Sequence, residues 1–322
     1  MLHLPNVIST IWVKNLDVSL SASPATFPES IALLKSLVLT QFDREILEKE
    51  LCYHNRTHIE AVQRRTNCLF QVVRPYLNEA ADRLSCLLDF CAVAHDAVQI
   101  FLPITDPHSP RRREAGVSET ATIEQLFQLI QTFNGQVADP CAQITEDDFQ
   151  MIQEAIEATI CAYDSGEQAI YQPSLYDRDR PISPVTRILA IADIGSLVME
   201  GVESYNQEGR LIFLEENPDV YHLIRTQKLR DLGTHQPNLA ENIRQRLLRR
   251  SQFQVSFARS RIQRSAQELE GLPDSAISII LDHRFPYLTA ATLEEIESTT
   301  PTDDDTSFSQ LIDFFQLAQE TV

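Results

Sequence analysis

Apolar residues recur along most of this chain at the three- and four-residue spacing of amphipathic helices. Residues 1–27 are irregular, with Pro5 and Pro24 breaking any period. Ile31, Leu34, Leu37, Val38 and Phe42 then mark a first helix, from about Glu29 towards Leu51. A second follows Tyr53-His54-Asn55, where Asn55 or His54 suits the N-cap, and carries Ile59, Val62, Leu69 and Val73 inward. The third runs from Ala80 to about Ile100, through Leu84, Leu87, Leu88, Cys91 and Ala92, and ends before Pro103. After a loop from Ile104 to Arg113, helices are expected from Glu114 to Phe133 and from Thr145 to about Ala162. Asp147 and Asp148 fall in the first turn of the latter, where negative charge suits the helix dipole. Ser165 to Pro184 is a surface excursion and a candidate lid. Val185 to Met199 resumes as a strongly apolar helix with Asp193 in its middle.

Beyond Gly201 the pattern changes. Tyr221 to Leu232 and Leu239 to about Leu269 are helical but rich in arginine and glutamine, the second carrying Arg244, Arg246, Arg249, Arg250, Arg259, Arg261 and Arg264. These arginines read as a solvated face, with a phosphate-binding face as the sharper alternative. Short helical pieces follow at Leu281 to Pro286 and Leu288 to Ile296. Thr299 to Ser307, with Asp303, Asp304 and Asp305, resembles a flexible acidic linker to an apolar terminal helix, Phe308 to Leu317. That helix, with Phe314 and Phe315, has to dock on its own core or on a second copy in a homo-oligomer. Only 8 glycines in 322 residues leave few of the turns that an all-β fold needs. The expected fold class is all-α.

The net charge of −19 repels phosphate backbones and argues against general nucleic-acid binding, although local positive charge can still hold a small anion. Six cysteines without a CxxC pair, no signal peptide and no long apolar span point to reduced thiols in a cytoplasmic protein with no membrane segment. The thiols are expected to serve as small core residues.

Against this background four ionisable residues stand out in apolar surroundings: His58, His95, Asp96 and Asp193. Burying an imidazole or a carboxylate costs several kcal/mol unless it finds a partner, and a metal ion satisfies all four at once. A His-Asp dipeptide alone carries little information; its recurrence with ligands of the same type on neighbouring helices carries more. His54 and His58 are four apart, so on a helix they face the same way. Nitrogen and carboxylate ligands in this mixture suit a catalytic divalent ion such as Mn²⁺, Fe²⁺, Co²⁺ or Zn²⁺ better than a structural zinc, which draws on thiolates.

His58, His95-Asp96 and Asp193 resemble the H…HD…D signature of the HD-domain metal-dependent phosphohydrolase superfamily. Tyr53-His54-Asn55-Arg56-Thr57-His58 is similar to the YHNxxH element of cyclic-nucleotide phosphodiesterases, and Ile191-Ala192-Asp193-Ile194 to the closing AD(I/L) element. The resemblance covers roughly residues 28–203. It implies an HD-type helical bundle over 28–203, a helical C-terminal extension over 204–298 packed on it, and the acidic linker with its terminal helix over 299–322. It further implies His58, His95, Asp96 and Asp193 as ligands of one divalent ion (Mn, Fe, Co, Zn, Ni or Mg), with His54 protonating a leaving oxygen. An acidic residue after the HD pair, Glu114 or Glu119, would orient the attacking water. The implied activity is hydrolysis of a nucleotide or other small phosphorylated substrate. Two departures matter: the HDxxH extension of two-metal relatives is replaced by Gln99, and no histidine follows Ile156 to Ala162. Both favour one metal over two. A nucleotide-binding sensor or adaptor without activity, and a di-iron oxygenase, are the alternatives.

Overall fold

The computed structural model describes residues 23–77 and 81–318, so residues 1–22 of the expected irregular segment, and Ala80 at the start of the third expected helix, lie outside it. Among the described residues there are fourteen α-helices and a two-stranded antiparallel hairpin, and the protein is all-α in class. No helix there is long and apolar enough to cross a membrane.

Local sequence starts and stops the helices. Helix α1 (Phe27–Lys49) opens on the Thr26 side chain, which accepts from the Glu29 amide, and closes where Glu50 turns left-handed at φ 50°. Helix α2 (Arg56–Val73) is capped by Asn55. Helix α3 (Ala81–Ala94) contributes Phe90, Cys91, Ala92, Val93 and Ala94, all with 0% exposure. Its last turn is therefore enclosed on every side, which is why it reads as continuously apolar. Helices α4 (Val117–Asn134), α5 (Glu146–Glu157) and α6 (Pro184–Asp193) complete this layer, α5 through a Thr145/Asp148 capping box and α6 through a Ser183 cap with Pro184 at its first position. Helix α3 packs on α1, α2, α5 and α6, which places the His95-Asp96 end of the chain in the middle of the bundle.

The remaining helices are α7 (Ser196–Glu200), α8 (Val202–Glu216), α9 (Pro218–Arg225), α10 (Leu232–His235), the 32-residue α11 (Pro237–Glu268), α12 (Asp274–His283), α13 (Ala290–Thr299) and α14 (Phe308–Phe314). A second core gathers α8, α9, α11 and α14 around Phe213, Leu214, Ile243, Leu247 and Leu311. The terminal helix docks here on its own chain, with Phe315 stacked on Phe213 at 5.8 Å. Leu269, Leu272, Ala276, Ile280 and Phe285 instead return to the first core.

Several expectations are corrected. The third helix stops at Ala94 rather than Ile100: Val98 and Ile100 give their amides to Thr122 and Ser118 of α4, so that segment leaves the helix. Helix α4 begins at Val117, not Glu114, behind a left-handed Gly116. The fifth helix ends at Glu157, and strands β1 (Ala162–Asp164) and β2 (Ala169–Tyr171) form a hairpin that takes in the first part of the expected loop. Arg264 and Ser260 of α11 hold that hairpin through Asp164 and Glu167. The helix expected across 185–199 breaks after Asp193. Residues 299–307 are packed rather than loose: Arg244 donates to the Asp304 and Thr306 carbonyls and Gln252 to that of Thr302. Cys52 and Cys91 are buried, but Cys141 is exposed, so the thiols are not uniformly core residues.

Candidate metal centre

Asn55 sets the first side of the site. Its side chain accepts from the His58 amide at 3.1 Å while its amide group holds the Cys52 carbonyl, so the cap that starts α2 also fixes His58 in the first turn. His54 lies ahead of the cap and not on the helix, yet its ring sits 5.9 Å from that of His58. His95 follows the last residue of α3 and keeps a helical amide bond to Cys91; its Nδ1 donates to the Ala92 carbonyl at 3.0 Å, leaving Nε2 as the free nitrogen. Asp96 leaves the helix here, and Asp193 enters from the end of α6.

These four side chains each offer one ligand atom, all within 4.8 Å of one another. The Nε2 atoms of His58 and His95 both lie 3.1 Å from Asp96 Oδ2, and 3.4 and 3.5 Å respectively from Asp193 Oδ1. Both Nε2 atoms are buried and, among the described residues, have no polar neighbour beyond these carboxylate contacts, the condition of nitrogens reserved for a ligand. Donor atoms on opposite sides of a divalent ion are separated by about 4–5 Å. The group fits such an ion, and could hold one.

Polar side chains hold the carboxylates in place. Gln99 Nε2 donates to Asp96 Oδ1 at 3.0 Å, and Gln172 Nε2 to Asp193 Oδ2 at 3.3 Å. Gln99, 1% exposed, thus braces a ligand at the position where the HDxxH pattern has a histidine. Arg65, 2% exposed, reaches the Ala192 and Asp193 carbonyls and pairs with Glu200 and Glu208. Burial would by itself raise both aspartates and lower both histidines. Their mutual attraction outweighs it: Asp96 and Asp193 are held below the usual carboxylate range, and His58 and His95 are raised, His95 strongly.

His54 completes a second network. Its Nδ1 contacts Glu215 Oε1, and Glu215 Oε2 accepts the Tyr53 and His54 amides at 2.9 and 3.0 Å. Its Nε2 lies 2.9 Å from Arg113 Nη1 and 3.8 Å from Asp96 Oδ2. Burial would raise Glu215, but His54 and Arg113 overcome it and take the carboxyl down to about 2. Arg113 also donates to Gln99 Oε1, which ties the two networks together.

A cavity of about 640 Å³ opens beside the group, with Asp96, Asp193 and His54 on one wall and side chains of α8 and α11 on another. Glu114 and Glu119 both line it. Glu114 sits exposed in the loop ahead of α4, off the helix on which it was expected; Glu119 is in the first turn and is raised by burial, with Asp96 and Asp193 adding to the effect. Cys161 shares the wall, and burial pushes its thiol far up, which disfavours the thiolate. Arg113, at the end of the loop expected from Ile104, belongs to the site. Glu215, Gln172 and Arg65 had no sequence signal: a glutamate near a helix end, a glutamine after a short strand and an arginine in an amphipathic helix all have ordinary exposed counterparts. No family model matches this chain, and neither a curated protein nor a solved structure does.

Proposed function

We propose that this protein is a metal-dependent phosphohydrolase of the HD type, acting on a nucleotide or other small phosphate ester. The observation that carries the reading is the convergence of His58, His95, Asp96 and Asp193, from three separate segments, with two buried Nε2 atoms facing the two carboxylates beside a cavity large enough for such a substrate. A divalent ion held there would lower the pKa of a coordinated water and polarise a phosphoryl oxygen. The chain's own residues supply the rest. Glu215 accepts from His54 Nδ1 and orients the ring, and His54 would pass a proton from Nε2 to the leaving oxygen once the substrate takes the place of Arg113 there. Arg113 brings positive charge to the mouth of the cavity, where charge develops on the phosphoryl group. Glu119, which lines the cavity, would orient a water. The free thiols suit a reducing, cytoplasmic setting.

The test combines elemental analysis with phosphate release from a panel of nucleotides. The purified chain should carry one divalent ion and release phosphate, and His95→Ala and Asp96→Ala should lose both. Full metal occupancy in both variants would overturn the ligand assignment. A bound nucleotide with no phosphate released from any member of the panel would replace hydrolysis with a sensing role.

A further inference from the structure

Helix α11 carries seven arginines, and five of them are committed to carboxylates. Arg244 pairs with Glu241, Arg246 with Asp219, Arg259 with Glu297, Arg261 with Glu268, and Arg264 with Asp164 and Glu167. Arg249 and Arg250 are the exceptions. Among the described residues neither has an ion-pair partner, and both line the cavity that opens onto the His/Asp group. The Nε of Arg250 is buried without an acceptor. In a chain with 46 acidic and 27 basic residues, carboxylates are abundant, so two unpaired guanidinium groups on a cavity wall are not a shortage of partners. Of the carboxylates on that wall, Glu208 is already taken by Arg65. Arg249 is exposed, whereas Arg250 is partly desolvated; an unpaired cation in that position is costly, and an anion from solution removes the cost.

Aromatic rings flank these cations. Phe253 stacks on Phe257 with centroids 5.8 Å apart and planes 10° apart, and Phe257 on Tyr205 at 6.2 Å and 28°. All three line the same cavity, and Arg250 sits 5.2 Å from the Phe253 ring centre. A flat apolar surface next to two cations is the chemistry that receives a ring bearing an anionic substituent.

We infer that the α11 wall of the cavity is a second subsite, which binds the aromatic portion of a ligand together with an anionic group separate from the one at the His/Asp group. The assignment of that first group rests on the proposed phosphohydrolase reading; the α11 subsite does not. The natural ligand is then an aromatic phosphate ester with a further anionic group, and mono-anionic phosphate esters bind less well.

The subsite can be tested with a matched pair of stable probes, naphthalene-1-sulfonate and the neutral naphthalene-1-sulfonamide, titrated calorimetrically into the full chain. The sulfonate should bind about tenfold more tightly, the effect of one charge-assisted contact. Arg249→Gln and Arg250→Gln should each reduce that preference towards unity, whereas Arg259→Gln, which removes the same charge outside the cavity, should leave it intact. His95→Ala should also leave it intact; a preference shown by a wild-type chain that carries no metal and releases no phosphate would sink the phosphohydrolase reading and not the subsite. Equal binding of the two probes to the wild-type chain, or a preference unchanged in both glutamine variants, would overturn the inference.

Discussion

Glu215→Gln isolates the contribution of one buried carboxylate. Glu215 is 2% exposed and serves three donors: the Tyr53 and His54 amides and His54 Nδ1. Its carboxyl falls from an ordinary 4.5 to about 2, which corresponds to about 3 kcal/mol of stability at neutral pH. The contacts give a similar figure: the amide keeps one neutral oxygen, so all three buried donors lose an ionised acceptor and at least one loses its acceptor altogether, at about 1–3 kcal/mol for each group left unsatisfied. Because the folded-state value is depressed, this stability is fully present above pH 4.5 and is lost as pH falls towards 2. The glutamine variant, close in shape but uncharged, should therefore be about 3 kcal/mol less stable by urea denaturation at pH 7. The gap should narrow below pH 4.5 and close near pH 2. Metal content should be unchanged, because Glu215 touches none of the four ligand side chains. A gap below about 1 kcal/mol, or one that does not vary between pH 7 and pH 3, would refute the reasoning.

Two further outcomes follow from the supports around the site. Gln99→Ala removes the bond that orients Asp96 and should weaken metal binding by about 10–100-fold in a competitive chelator titration; unchanged affinity would mean that Gln99 does not brace the ligand. Arg65→Met strips Glu200 and Glu208 of their shared partner and loosens the Asp193 backbone, and should cost about 3 kcal/mol in chemical denaturation, at the lower end for a buried pair because both glutamates keep some water; a neutral result would show that water replaces the guanidinium.

The helical class and the four clustered residues were legible because both depend on local signals: the 3.6-residue period, and ionisable groups inside apolar runs. Helix ends were less legible. Composition continues smoothly past Ala94 and through Asp193, and what ends α3 is tertiary, the amides of Val98 and Ile100 being drawn to α4 hydroxyls. The acidic stretch at 303–305 looked unstructured because its order comes from backbone carbonyls, whose capture by Arg244 leaves no trace in side-chain composition. Glu215 was hidden for a related reason. It meets His54 across 161 residues, and nothing in either neighbourhood encodes that contact.

The two cores are interleaved along the chain. Leu269, Leu272, Ala276, Ile280 and Phe285 finish the first core only after the chain has passed through the second. Removing the C-terminal half would thus bare apolar surface around the ligand-bearing helices, so this half is an inseparable part of the bundle and not a separable cassette.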